Sequence, residues 1–379
     1  MLYYVQGSAL ITKEEFVETI KNYDVQAFYD AVSKGLTTKT IKFSTGELSI
    51  DNVLKGFVAT AGAPPVPFKP IGTGSPLTVQ IREVYTGKYP SKNMFGSKKD
   101  MLVTSAIKSI TSFDAKPLAM NFLLDKVSPQ SHIGRGPASK QGTPFIFYSP
   151  ALIEKSLTLD ISIIFDSFPE EAFTQVGKLF SEVSSVPIFL SCSVYLMAAG
   201  IITKLVGKAG EKLFDGKPMF ASSDPLDIDW PGASPLSSGF MLITSSDVDH
   251  MDPEFRKKYQ VNDSGKVVDS LNNEYHGDIP FVVISLDGTP QEELTSFTST
   301  AASAALLSRF YGIKDGQEQS MGMLLDAVKI YNDFNFRQQV DRLDAQISSL
   351  PDGNAKKDEL KKKREALVNN ILEDIMKPK

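Results

Sequence analysis

The sequence predicts an α+β fold: an antiparallel β-sandwich with an inserted two-helix hairpin, followed by a mainly helical C-terminal region. Three observations carry this reading. From Leu77 onward apolar residues recur at every second position through a series of short segments. Beyond residue 288 the spacing changes to steps of three and four. Between these regions strand and helix do not alternate regularly, which disfavours a doubly wound parallel sheet.

Residues 1–62 form a small N-terminal α/β preface. Thr12, with Glu15 three residues on, is a capping box, and Phe16, Val17 and Ile20 follow at helical spacing. Asp24 caps a second short helix, VQAFYDAVSK, which Gly35 ends. Residues 63–76 then form a stiff, extended Pro-rich linker within GAPPVPFKPIGTGSP. Its PxxP steps, Pro64 to Pro67 and Pro67 to Pro70, have the spacing that docks on aromatic grooves.

Residues 77–288 are the sandwich. LTVQIREV sends Leu77, Val79 and Ile81 to one face, and DMLVTSAIKSI, KPLAMNFLL and PFIFYS continue the series. In SLTLDISIIF, Leu157, Leu159, Ile161, Ile163 and Phe165 alternate with Thr158, Asp160, Ser162 and Ile164, so one face is buried and the other wet. Further strands are expected in PMFASS, PLDIDW, SGFMLIT, GKVVDSL and PFVVISL.

A helical hairpin over 169–214 interrupts this series. Its first helix starts at Pro169, with two glutamates suited to the helix dipole, and carries Phe173, Val176, Phe180 and Val183 as its apolar stripe. The second is expected to run from Pro187 towards Phe214, about seven turns. It begins in the uncharged stretch Val183 to Thr203 and puts Lys204, Lys208 and Lys212 on one ridge, opposite Ile202, Leu205, Val206, Ala209 and Leu213.

Residues 289–379 are the helical C-terminal region. Thr289, Pro290 and Glu292 mark a capped start, and Thr300, Ala301, Ala304, Ala305 and Ser308 form a face of small residues. Beyond Gly316 come two long helices: Val340, Leu343, Ile347 and Leu350 step by three and four, PDGN turns the chain, and Leu360, Leu367, Ile371 and Ile375 return. The basic run KKDELKKKR, Lys356 to Arg364, is a solvated face that also suits a rim of charge pairs with a partner.

A net charge of -5 gives no global attraction to nucleic acid, so none is expected as a partner. The single cysteine, Cys192, excludes an intrachain disulfide and a Cys-based zinc cluster, and reads as a buried small hydrophobe. The N-terminal segment lacks the basic start and long apolar run of a signal peptide, so a cytoplasmic location, peripheral to a membrane at most, is expected.

No GxSxG elbow accompanies the three histidines, His132, His250 and His276. GRGPASKQGT has the glycines and lysine of a phosphate loop without its spacing, so no cofactor is expected. DVDHMDPE offers Asp247, Asp249 and His250 as metal ligands, and Asp227 and Asp229 would add oxygens from a neighbouring loop. It lacks the turning glycine of an EF-hand, and capping of the helix PEFRKKY accounts for its end.

LTVQIREV, a loop, and then DMLVTSAI resemble the opening of a C2-type sandwich over Leu77 to Ile107. In that family the loop supplies calcium-binding aspartates. Here it carries Lys88, Lys92, Lys98 and Lys99, with Asp100 its only acid, which puts calcium-dependent lipid binding in doubt. A basic loop flanked by Tyr85, Tyr89 and Phe95 suits direct contact with anionic headgroups or a protein.

The expected function is a non-enzymatic interaction or assembly module, with a protein partner or self-assembly. Contact with a partner or membrane falls to Lys88, Tyr89, Lys92, Phe95, Lys98, Lys99, Lys204, Lys208 and Lys212. Two alternatives stand beside it. One is a conditionally membrane-active protein, of effector or pore-forming type, whose hairpin 169–214 is exposed by proteolysis or partner binding. The other is an enzyme or metal-binding protein with a site near Asp227, Asp229, Asp247 and His250.

Overall fold

A computed structural model describes residues 2–6, 8–15, 40–43, 46–49, 70–90, 98–109, 118–134, 142–183, 188–192, 195–198, 201–205, 212–213, 216–228, 236–244, 253–294, 297, 300–301, 304 and 318–378. In chain order the strands are β1 (Leu2–Gln6), β2 (Ala9–Ile11), β3 (Thr40–Phe43), β4 (Gly46–Ser49), β5 (Pro70–Ile71), β6 (Leu77–Tyr85), β7 (Lys99–Ser109), β8 (Leu118–Val127), β9 (His132–Gly134), β10 (Phe145–Ser149), β11 (Ser156–Asp166), β12 (Ile188–Cys192), β13 (Tyr195–Ala198), β14 (Ile201–Lys204), β15 (Pro218–Asp227), β16 (Leu236–Ser237), β17 (Gly239–Thr244), β18 (Tyr259–Val261), β19 (Val267–Asp269) and β20 (Phe281–Asp287). The α-helices are α1 (Glu170–Val183), α2 (Pro253–Lys258), α3 (Glu318–Ser348) and α4 (Ala355–Asn369). The strands of the described residues lie in antiparallel sheets, which makes the fold mixed α+β.

Two seven-stranded sheets dominate. One runs β10-β6-β20-β17-β1-β2 with β9 also on β6, and the other runs β14-β13-β12-β8-β7-β11-β15. The alternation read in SLTLDISIIF is the reason β11 can sit between two neighbours: Leu157, Leu159, Ile161 and Ile163 are buried in one core cluster. That cluster also holds Val79, Ile81, Val282 and Ile284 from the other sheet, an arrangement consistent with a β-sandwich. Asn121 on β8 stitches the sheets together, donating to the carbonyls of Thr143 (3.3 Å) and Phe145 (3.0 Å) while accepting from Ser105 Oγ (2.7 Å).

The end of the predicted Pro-rich linker joins this body. Pro70–Ile71 pairs with β16, and Ile71 is buried in the shared core.

The first helix of the expected hairpin is present as α1. Ala172, Val176, Leu179 and Phe180 pack on Leu102, Met120, Leu123 and Ile164, the face of the second sheet turned away from the shared core. The second helix is a correction: Ile188–Lys204 forms the three short strands β12, β13 and β14, which extend the second sheet through β8. The stretch is rich in β-branched and aromatic residues, and only two residues separate each strand from the next, as in tight hairpins. An uncharged run with both faces dry has no period to tell helix from strand.

The C-terminal hairpin forms, but α4 ends at Asn369, so Ile371 and Ile375, expected on the returning helix, lie beyond it and Ile375 is exposed. Val340 and Leu343 on α3 meet Leu367 on α4, with Phe336, Ile347, Leu360 and Ile153 around them. Asn370 fixes the hairpin to the sheets by donating to Ala151 O (2.7 Å) and Ala366 O (2.9 Å). Buried Asp333 accepts from the amides of Leu372 (3.2 Å) and Glu373 (2.8 Å), which holds the chain after α4 against α3. Phe297, Thr300 and Ala304, also buried, are helical at the positions described. The second preface helix, near Asp24, lies outside the described residues.

Candidate functional site

A bulge in β6 creates a polar buried place in the fold. Ile81 pairs with Ile284 and Glu83 with Val283, so Arg82 is an extra residue between them. An inserted residue inverts the in-out alternation beyond it. Ile81 and Val84 therefore both face the shared core, while Glu83 and Tyr85 turn to the opposite face, under the β18–β19 ribbon. The turn of that ribbon comes close to the bulge: at Gly265, with φ +78°, a Cβ would sit 2.8 Å from Arg82 Cβ.

His132, the first residue of β9, pairs with Tyr85 and lays its ring 4.5 Å from the Tyr85 ring. Its Nδ1 lies 2.9 Å from Glu83 Oε1 and its Nε2 lies 2.8 Å from Tyr275 O. A carbonyl only accepts, so Nε2 carries the proton. The second Glu83 oxygen accepts from Val267 N at 3.1 Å. Burial alone would lower the His132 pKa, but the hydrogen bond and charge of Glu83, the Tyr275 carbonyl and the charge of Glu274 together raise it above the usual imidazole value. Burial likewise raises the phenols of Tyr85 and Tyr275; Tyr85 donates to Gly277 O at 2.7 Å. Both imidazole nitrogens and both carboxylate oxygens are engaged in hydrogen bonds within the cluster. It is a clamp that joins β6, β9 and the β18–β19 ribbon through one imidazole ring.

A second feature is on α3. Met323, Ile330, Tyr331 and Phe334 are 70%, 51%, 60% and 46% exposed, with Ala327 also exposed between them. At 100° per residue these five share an arc of about 100°, and 1.5 Å per residue makes the stripe about 16 Å long. The C-terminal half of α3 buries a different face, through Phe336, Val340, Leu343 and Ile347. The helix thus has two apolar faces, one covered and one bare among the described residues.

The residues expected to make contacts are scattered. Lys88 and Tyr89 stand in the turn after β6, with Lys88 Nζ 5.5 Å from the Tyr89 ring centre and Tyr89 6.4 Å from the Phe165 ring. Lys98 is exposed and Lys99 opens β7. Lys92 and Phe95 lie outside the described residues. Asp100 anchors backbone instead of facing a ligand, accepting from Lys126 N (3.1 Å) and Phe168 N (2.9 Å). The lysine ridge is corrected together with its helix: Lys204 ends β14, opposite Tyr195, and Lys212 pairs with Asp166 at 3.1 Å. Lys208 lies outside the described residues.

Asp227 spends one oxygen on Lys13 Nζ (2.8 Å) and the other on Ser156 Oγ (2.9 Å). Asp229, Asp247, Asp249 and His250 lie outside the described residues. Among the described residues no group of three or more His, Cys, Asp or Glu is placed to hold a metal. In the basic run of α4, Arg364 forks onto Asp344 of α3 through Nε and Nη2, so that charge is matched within the hairpin itself.

Sequence reasoning named neither the clamp nor the stripe. The stripe had a signal, apolar residues at i, i+4, i+7, i+8 and i+11 from Met323. The clamp had a weaker one: Glu83 is an acid at the position where the Leu77, Val79, Ile81 alternation calls for a fourth apolar residue.

No family model matches the chain, and no curated protein matches it.

Proposed function

We propose that the protein is a non-enzymatic assembly module that associates with a second copy through the bare face of α3. The observation that supports this is the stripe of Met323, Ile330, Tyr331 and Phe334, large apolar side chains gathered on one arc of an otherwise well-packed hairpin. An amphipathic helix face of this kind suits a partner helix laid across it, with side chains three and four apart as anchors. Aromatic residues and Met, as in this stripe, are enriched at protein contacts.

The finer architecture belongs to the same reading. We take the two sheets as a C2-like β-sandwich, supported by their shared core and by β6 and β7, which stand in opposite sheets. The conditionally membrane-active alternative loses the second helix of its hairpin, because that run forms strands, and rests on the basic loop after β6 alone. Among the described residues no helix is long and apolar enough to cross a membrane.

Sedimentation velocity over a range of protein concentrations tests the proposal. The wild-type chain is expected to associate, and the double variant Ile330→Glu, Phe334→Glu to remain a monomer with an unchanged circular dichroism spectrum. A wild-type chain that stays monomeric at every concentration overturns it.

A further inference from the structure

A cavity of about 110 Å³ lies where the two sheets meet the C-terminal helices. Its walls include Phe147 on β10, Phe189 on β12, Phe297 and Phe336 on α3. The rings are set edge to face, Phe297 standing 5.8 Å from Phe147 and 5.4 Å from Phe189. Such walls present both ring faces and ring edges to a guest.

The polar groups around this space differ in how they are used. Ser149 Oγ donates to Ala151 O, and the Asn370 amide donates to Ala151 O and Ala366 O. Tyr148 Oη accepts from Gln291 N. Glu154 differs from these: its Oε2 is 3.4 Å from the neighbouring amide of Ile153, and no side-chain cation pairs with it among the described residues. Burial raises the Glu154 carboxyl, against the pull of its own amide, that of Ile153 and the charge of Lys363. A carboxylate in apolar surroundings gains most from a cation that brings its own apolar body.

We propose that this cavity binds a small primary alkylammonium ion, its head on Glu154 and its hydrocarbon body among the four phenylalanines. Apolar cavities of about 150 Å³ accept benzene, so the space here suits a body of about five carbons. Ring faces attract an ammonium as well as its alkyl tail, which favours a cation over a neutral guest of the same shape. The site stands independently of the assembly reading, since none of the stripe residues lines it.

Isothermal titration calorimetry of the full chain at neutral pH, with 3-methylbutylamine and with 3-methylbutan-1-ol as its uncharged isostere, tests this. The amine is expected to bind at least about tenfold more tightly than the alcohol, since a hydrogen-bonded charge contact carries at least that factor. Glu154→Gln should remove the difference while leaving alcohol binding in place, and Ala301→Leu, which fills the cavity, should abolish both. Wild-type protein that gives no heat with the amine, or that binds amine and alcohol equally, overturns the proposal without reference to any variant. Amine binding that survives Ala301→Leu in a folded protein overturns it as well.

Discussion

The two large sheets each have one face turned from the shared core, and the two faces are covered in opposite ways. On the second sheet α1 lays Ala172, Val176, Leu179 and Phe180 on Leu102, Met120, Leu123 and Ile164, with Asp100 holding the Phe168 amide at the edge of this apolar contact. On the first sheet the β18–β19 ribbon covers a face that holds buried Glu83, the phenol of Tyr85 and the ring of His132. The first kind of cover works mainly by area and volume. The second depends on one proton. The difference teaches that the two halves of one fold need not share a stability mechanism.

The largest expected effect comes from cutting the clamp. Glu83→Ala leaves His132 and the Val267 amide without their acceptor in a buried place, and should cost about 3–5 kcal/mol in chemical denaturation. A loss below about 1 kcal/mol would mean that the polar cover contributes little and would erase the contrast.

Next comes the apolar cover. Leu179→Ala on α1 should cost about 2–4 kcal/mol, and the loss should be the same at pH 5.5 and pH 8.5. A pH-dependent loss there would break the comparison from the other side.

A smaller effect separates the two covers by titration. The His132 pKa is raised above its ordinary value of 6.5 in the folded chain. Its contribution to stability is therefore complete below the unfolded value and declines as pH rises through the folded one. Denaturation midpoints should fall gently from about pH 6.5 upward, and Glu83→Gln should flatten that slope. A slope unchanged in Glu83→Gln would place its origin elsewhere.

The smallest effect is expected where nothing covers the surface. Phe334→Ser on the bare face of α3 should shift monomer stability by no more than about 0.5 kcal/mol, although the same face governs association in the proposed function. A large loss in monomer stability would show that the stripe packs within its own chain.

Legibility in the sequence followed this same divide between one-sided and two-sided burial. β11 was readable because its alternate residues Leu157 to Ile163 are buried and the intervening ones are not. The C-terminal hairpin was readable because Val340, Leu343 and Leu367 step at helical spacing around a turn. The capping box was also readable: Thr12 N donates to Glu15 Oε2 at 2.7 Å and Glu15 N to Thr12 Oγ1 at 3.3 Å. β12 was not, since Ile188 and Phe189 are both buried and adjacent, which removes the period that would have marked a strand. The clamp was unreadable for another reason. Its residues Glu83, His132 and Tyr275 are far apart in the chain, and a bulge, a property of pairing, decides which way Glu83 points.

β15 has a bearing on how copies of this chain can meet. It is the last strand in the order of the second sheet, and it carries Pro218 and Pro225, the latter opposite Thr158 of β11. Proline has no amide hydrogen to offer a newcomer and is tolerated in sheets chiefly along such margins. A strand from another molecule laid beside β15 would find gaps in its ladder at both positions. The margin is thus a poor template for growth of the sheet by addition of a further strand.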